Sequence, residues 1–210
     1  MLEVLSNPGR FFEEKIKEEI DFKPPYAVIG AVTLLTLINA FILMRELMEN
    51  MFSDAPNIAQ LIVITLGLIG TMASVTVAWL LISGLFYVIS WPLAGQGKFA
   101  RVLEYVAYGF LPFIFSSAIS MVLLISMCLF SDFSMNDPLA IEKAMLKSPY
   151  MILSNAVSII FVLWAANIWV FAMIHSRGLA VKNALITVGL PLIVYLIYLF
   201  YTLYQAISPF

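Results

Sequence analysis

The sequence predicts an all-α integral membrane protein, with five transmembrane helices and a short N-terminal interfacial amphipathic helix. Three observations predict it. Hydrophobic residues make up 62% of the 210-residue chain and charged residues only 11%, against roughly a quarter charged in a soluble domain. The mean hydropathy is +0.99, which a soluble fold of this length cannot hide from water. The charges are also grouped, leaving uncharged runs of about 20 residues or more, enough to cross a core of roughly 30 Å at 1.5 Å per residue.

The chain divides into a charged N-terminal segment, 1–24, and a five-span domain, 25–210. The first residues have no early apolar core and no small-residue cleavage site, so the first span is expected to act as an uncleaved insertion signal. Asn7-Pro8 is a helix start, an Asn cap followed by a proline whose φ suits the first helical position. Phe12, Ile16 and Ile20 recur every four residues and share one face. That pattern predicts a short helix lying at the membrane interface, and Pro24-Pro25 ends it.

The first span is expected over about 25–44, closed by Arg45 and Glu46. The second, about 58–91, is long: some 33 residues make a helix of roughly 50 Å, which must tilt, protrude or break. Gly67, Gly70, Ser74 and Ala78 form a small-residue strip on it that suits close helix packing, or homodimerisation. Trp91-Pro92 closes the run at an interface. Gly95 and Gly97 make a turn. Phe99, Val102, Leu103 and Val106 then have helical spacing, with Arg101 and Glu104 on the wetter side. The third span is expected over about 105–130, with Pro112 inside it as a kink. The long loop 131–149 carries a predicted short amphipathic helix opened by Asp137-Pro138. The fourth span is about 150–174 and the fifth about 179–204, kinked at Pro191.

Eight of the eleven Lys and Arg residues fall on one side of this topology: Arg10, Lys15, Lys17, Lys23, Lys98, Arg101, Arg177 and Lys182. The positive-inside rule then places the N-terminus in the cytosol and the C-terminus outside the cell membrane. Lys98, Arg101, Arg177 and Lys182 form a candidate cytosolic basic face. It is read either as a contact for anionic headgroups or as a topology determinant alone.

Several classes are set aside. The net charge of -2 gives no reason to expect a nucleic-acid partner. Cys128 and His175 are each the sole residue of their kind, which excludes an intrachain disulfide and leaves no metal set or triad. No charged residue lies in mid-span, where ion and proton paths carry one. Catalytic residues, metal ligands and cofactors are therefore not expected, and the chain is not read as an enzyme. The most polar groups in the spans are Asn39, Asn155 and Asn167. They serve either as interhelical hydrogen-bonding groups or as the lining of a polar cavity.

Four short stretches carry a resemblance. They are Asn7-Pro8 with Phe11-Phe12; Gly95-Gln96-Gly97-Lys98-Phe99; Tyr108-Gly109 with Pro112; and His175-Ser176-Arg177-Gly178-Leu179 followed by Lys182 and Ala184. In this order and spacing the chain resembles the Yip family, the Ypt/Rab-interacting integral membrane proteins with five predicted spans. It looks like a short, prokaryotic-type member. The resemblance implies membrane organisation or partner scaffolding, associated in eukaryotic relatives with vesicle transport. Those relatives carry a long cytosolic N-terminal segment that is absent here, which argues against a Rab-type GTPase partner. The expected partners are the lipid bilayer and a membrane protein or a second copy of the chain. The alternative is a channel or transporter for a small or lipidic solute, with the asparagines as its polar site and the prolines as its kinks.

Overall fold

The computed structural model describes residues 2–51, 55–130 and 144–207. They form helices with no strand among them. In chain order these are α1 (Glu3–Ser6), α2 (Pro8–Lys15), α3 (Lys23–Met51), α4 (Asn57–Ser90), α5 (Phe99–Tyr108), α6 (Leu111–Phe130), α7 (Pro149–Arg177) and α8 (Val181–Ile207). Five stretches are long and apolar enough to cross a membrane: Lys23–Glu49, Asn57–Ser90, Phe99–Phe130, Pro149–Arg177 and Val181–Ile207. The protein is an all-α membrane protein. The helix expected after Asp137-Pro138 falls largely outside the described residues.

Local chemistry sets the helix ends. Asn7 caps α2 by accepting from the Arg10 amide at 3.2 Å, with Pro8 at the first helical position. Pro24 and Pro25 fall in the first turn of α3, where amides have no helical partner to lose. α4 is one unbroken helix of 34 residues. Gly178 closes α7 at φ 63°, the left-handed conformation that glycine adopts without a Cβ penalty.

The expected helix over 105–130 is instead two helices. The chain breaks after Tyr108, and Gly109 turns its amide back to Ala107 and Val106. Trp169 of α7 lies where a Gly109 side chain would stand, and its indole N–H donates to the Val106 carbonyl at 2.9 Å. Pro112 is the second residue of α6, so it is a helix-start residue and not a mid-span kink. Its missing N–H costs nothing there. Pro191 does lie inside α8.

Within the chain, the predicted strip on α4 does not act as one packing surface. Gly67 is in tight contact with Met44 of α3, but nothing stands within 4 Å of a Cβ on Gly70. Ser74 is exposed and Ala78 half-buried. The buried residues of α4 are Val75, Trp79, Ser83, Phe86 and Ser90. At about 100° per residue they lie roughly a third of a turn from the strip.

Two cores hold the bundle. The larger gathers Phe12, Trp79, Phe86, Tyr105, Tyr108, Ile168, Trp169, Met173 and Val188, with the others around them, at the end where α4 runs out and α5 begins. The smaller, at the opposite end, joins Leu124, Met127 and Met145. Large apolar side chains such as Ile62, Leu66, Ile69, Ile193 and Ile197 remain exposed. On a membrane-spanning bundle this is the surface that meets lipid tails.

Candidate functional site

The larger core closes on a layer built from four separate parts of the chain. Its centre is Arg177, in the last turn of α7 and only 3% exposed. Its guanidinium donates to Ser90 Oγ at 2.9 Å, to the Gly97 carbonyl at 2.6 Å and to the Gly95 carbonyl at 2.8 Å. It also lies over the Tyr87 ring, 4.3 Å from the centroid. These partners are neutral, so the charge is held by oriented dipoles and a π-face, at a helix C-terminus that itself favours a cation. The α7 carbonyl at Arg177 accepts from the Gln96 amide at 2.8 Å. Asn183 of α8 adds a bond to the Leu93 carbonyl at 3.0 Å.

The loop between α4 and α5 is shaped to fit this arginine. Gly97 adopts φ 99°, and a Cβ there would stand 2.7 Å from the Ser176 carbonyl. A Cβ on Gly95 would stand 2.7 Å from the Ser90 carbonyl and 3.0 Å from Arg177 Nε. Glycine is required at 97 by conformation and at both positions by space.

The N-terminal segment docks against the same layer. Phe12 is fully buried, with ring centroids 4.7 Å from Tyr105, 6.1 Å from Tyr108 and 6.5 Å from His175. Phe11 meets Tyr108 edge-on at 5.0 Å. Gly9 lies against the Phe171 ring, and Trp164 donates to the Leu5 carbonyl at 3.1 Å. The segment thus runs along α7 from Trp164 to His175, a rise of about 16 Å. It is a strap packed on the helices, with Phe12 turned into the protein. α2 ends at Lys15 with Ile16 as its C-cap, so Ile20 does not continue its face, and Ile16 is 40% exposed.

Glu104 ties the strap to α5. It is fully buried, not on a wet face. One carboxylate oxygen accepts from Arg101 at 2.9 Å; the other accepts from the Asp21 amide at 3.3 Å and lies 3.6 Å from Lys15 Nζ. Arg101 also donates to the Glu18 carbonyl at 2.6 Å. Two cations and a backbone donor therefore surround one carboxylate, the arrangement that makes a buried charge tolerable. α5 is further held by Trp79, whose indole N–H donates to the Leu103 carbonyl at 3.0 Å.

Of the basic set, Lys98 and Lys182 are exposed, Arg101 is partly buried and paired, and Arg177 is internal. Arg177 therefore does not face lipid. An open groove of about 510 Å³ lies beside the layer, lined by Ile16, Glu19, Ile20, Gly97, Lys98, Arg101 and Ser176. The three asparagines are dispersed over the bundle. Asn39 donates to the Ser117 carbonyl at 3.0 Å, linking α3 to α6. Asn167 is exposed, and none of the three lines the groove. The spacing of Arg101 and Glu104 was in view, but the burial of Glu104 was not, because Lys15 and the Asp21 amide that help enclose it come from the N-terminal segment, more than 80 positions away.

Asn7-Pro8 with Phe11-Phe12, Gly95–Phe99, Tyr108-Gly109 and His175–Leu179 thus meet in one structure. The Yip1 domain family model matches residues 2–203, nearly the whole chain. The chain belongs to the Yip1 domain family. A relative in Methanocaldococcus jannaschii, described as an uncharacterized protein, is 33% identical over 122 residues, covering 57% of this chain and 84% of its own. No solved structure matches. In this Yip1-domain chain the resembling motifs are not scattered loop signatures. They are the contacts of one packed layer: the strap, the arginine-bound loop, the α5–α6 break and the end of α7.

Proposed function

We propose that this protein is a Yip-type membrane-organising scaffold that acts through the end where the four motif segments meet, and that it is neither an enzyme nor a conduit. The observation that carries this reading is the construction of that end. Arg177, Glu104 and Phe12 are spent on making it rigid. What it leaves on its surface is a preformed groove with Lys98, Arg101 and Glu19 around the apolar Ile16 and Ile20. Apolar centres with charged rims suit protein contacts. The basic bias supports a cytosolic position for this end of the cell-membrane protein. The expected partner is a membrane protein or a second copy of the chain. The dispersal of Asn39, Asn155 and Asn167 argues against a polar path, the feature the transporter reading needs.

Site-specific photo-crosslinkers placed at Glu19 and Lys98, with Ile160 on the exposed apolar surface as control, test the proposal in native membranes. The expected result is a discrete protein adduct at Glu19 and Lys98, reduced at least tenfold by Ile20→Asp, with only lipid adducts at Ile160. Lipid adducts alone at all three positions would remove the scaffold reading. Release of entrapped small solutes from liposomes holding the purified protein would restore the transporter.

A further inference from the structure

A second feature is independent of the scaffold reading. A cavity of about 380 Å³ lies between α4, α6, α7 and α8, walled by Phe86, Phe110, Phe113, Val162, Trp169 and Val188 among others. Its lining is apolar. The only polar side-chain groups in it are the Trp169 indole N–H, already bonded to the Val106 carbonyl, and the Tyr195 hydroxyl. A buried water requires two to four polar partners, and apolar cavities of even ~150 Å³ stay dry and take apolar ligands instead.

The opening identifies the occupant. Leu85 of α4 and Tyr195 of α8 line the cavity and are 49% and 47% exposed, on the apolar surface that faces the bilayer. The cavity is thus continuous with the protein's lipid interface. Asn183 is bonded to Leu93, close to Arg177 and its loop, and marks the basic layer. From that layer Val188 lies about 8 Å and Tyr195 about 18 Å along α8. The cavity thus covers about 10 Å of depth, in the inner part of a leaflet whose hydrocarbon is half of a core of about 30 Å. Pro191, inside α8, lies on the wall.

We propose that this cavity is a lateral binding site for an acyl chain of a bilayer lipid from the leaflet at the basic end. The chain enters between α4 and α8 past Leu85 and Tyr195 and lies against Trp169. A headgroup would remain outside the helices, so recognition rests on the hydrocarbon and not on headgroup chemistry.

The test uses the full protein in nanodiscs of phosphatidylcholine carrying a photoactivatable diazirine in one acyl chain, with adducts located by mass spectrometry. Phe86, Val162 and Val188 are at most 3% exposed, so bulk lipid does not reach them. Adducts on these three in the wild type are the expected result. Ala78→Trp, and separately Leu192→Trp, fill the cavity and should lower those adducts at least fivefold, leaving adducts on the lipid-facing Ile62 and Ile69 unchanged. Wild-type labelling confined to exposed residues would overturn the proposal. So would unchanged labelling of the three buried residues in a filled variant that elutes and melts as the wild type does. If neither variant folds, the wild-type adduct map decides alone.

Discussion

Arg177 shows how a single side chain is fixed by geometry more than by charge. Its guanidinium donates to three separate acceptors, and its central carbon lies over the Tyr87 ring. Lysine offers a point charge with rotatable donors and no flat face to stack. Arg177→Met should therefore destabilise the protein by about 3 kcal/mol or more, because buried acceptors lose charge-assisted bonds worth roughly 1.5–3 kcal/mol each and not fully additive. Arg177→Lys should recover less than half of that loss. Thermal unfolding in detergent measures both, and equal stability of the lysine variant and the wild type would show that charge alone suffices. The sequence marked Arg177 as basic and placed it correctly beside Gly178. It did not reveal the burial, because the acceptors at Gly95 and Gly97 are backbone carbonyls, which every residue carries. Glu104 was placed on the wetter side for a related reason: Arg101 is a local partner, but Lys15 and the Asp21 amide, which complete its enclosure, come from a distant segment.

At the scale of elements, the strap and the α5–α6 break decide the architecture of the site. Phe12 is fully buried against the Phe11, Tyr105, Tyr108 and His175 rings, while Ile16 caps the end of α2 and is partly exposed. Phe12→Ala should cost about 3–5 kcal/mol, the range for a buried aromatic, whereas Ile16→Ala should stay within about 1 kcal/mol. Unfolding midpoints of the two variants check this ordering, and equal effects would mean that the strap is held by a continuous apolar stripe. The five long helices were legible because length and hydropathy alone specify them. The N-terminal helix was legible from Asn7-Pro8, but not its docking. A period-four stripe reports a face and not what covers it. The break at Gly109 was half-legible: glycine and Pro112 were both in view, but the residue that requires the glycine is Trp169, sixty positions on. The strip on α4 misled because small residues permit close approach without attracting a neighbour: Gly67 meets Met44 of α3, while Gly70 has open space around it.

For the whole molecule, the two ends differ in kind. The end opposite the basic layer has a small cluster around Met127. The basic end has the strap, the loop, α5 and the tail of α7 joined through Arg177, Glu104 and Phe12 into one unit. These segments should behave as one cooperative unit, so that disturbing one loosens all. Hydrogen exchange of the nanodisc-embedded protein, read by mass spectrometry in the wild type, Arg177→Met and Phe12→Ala, tests this. Residues 7–16, 95–109 and 175–179 of the wild type should exchange slowly. Either substitution should accelerate all three segments together, with 113–130 unchanged. Acceleration confined to the loop in one variant and to the strap in the other would contradict a single unit.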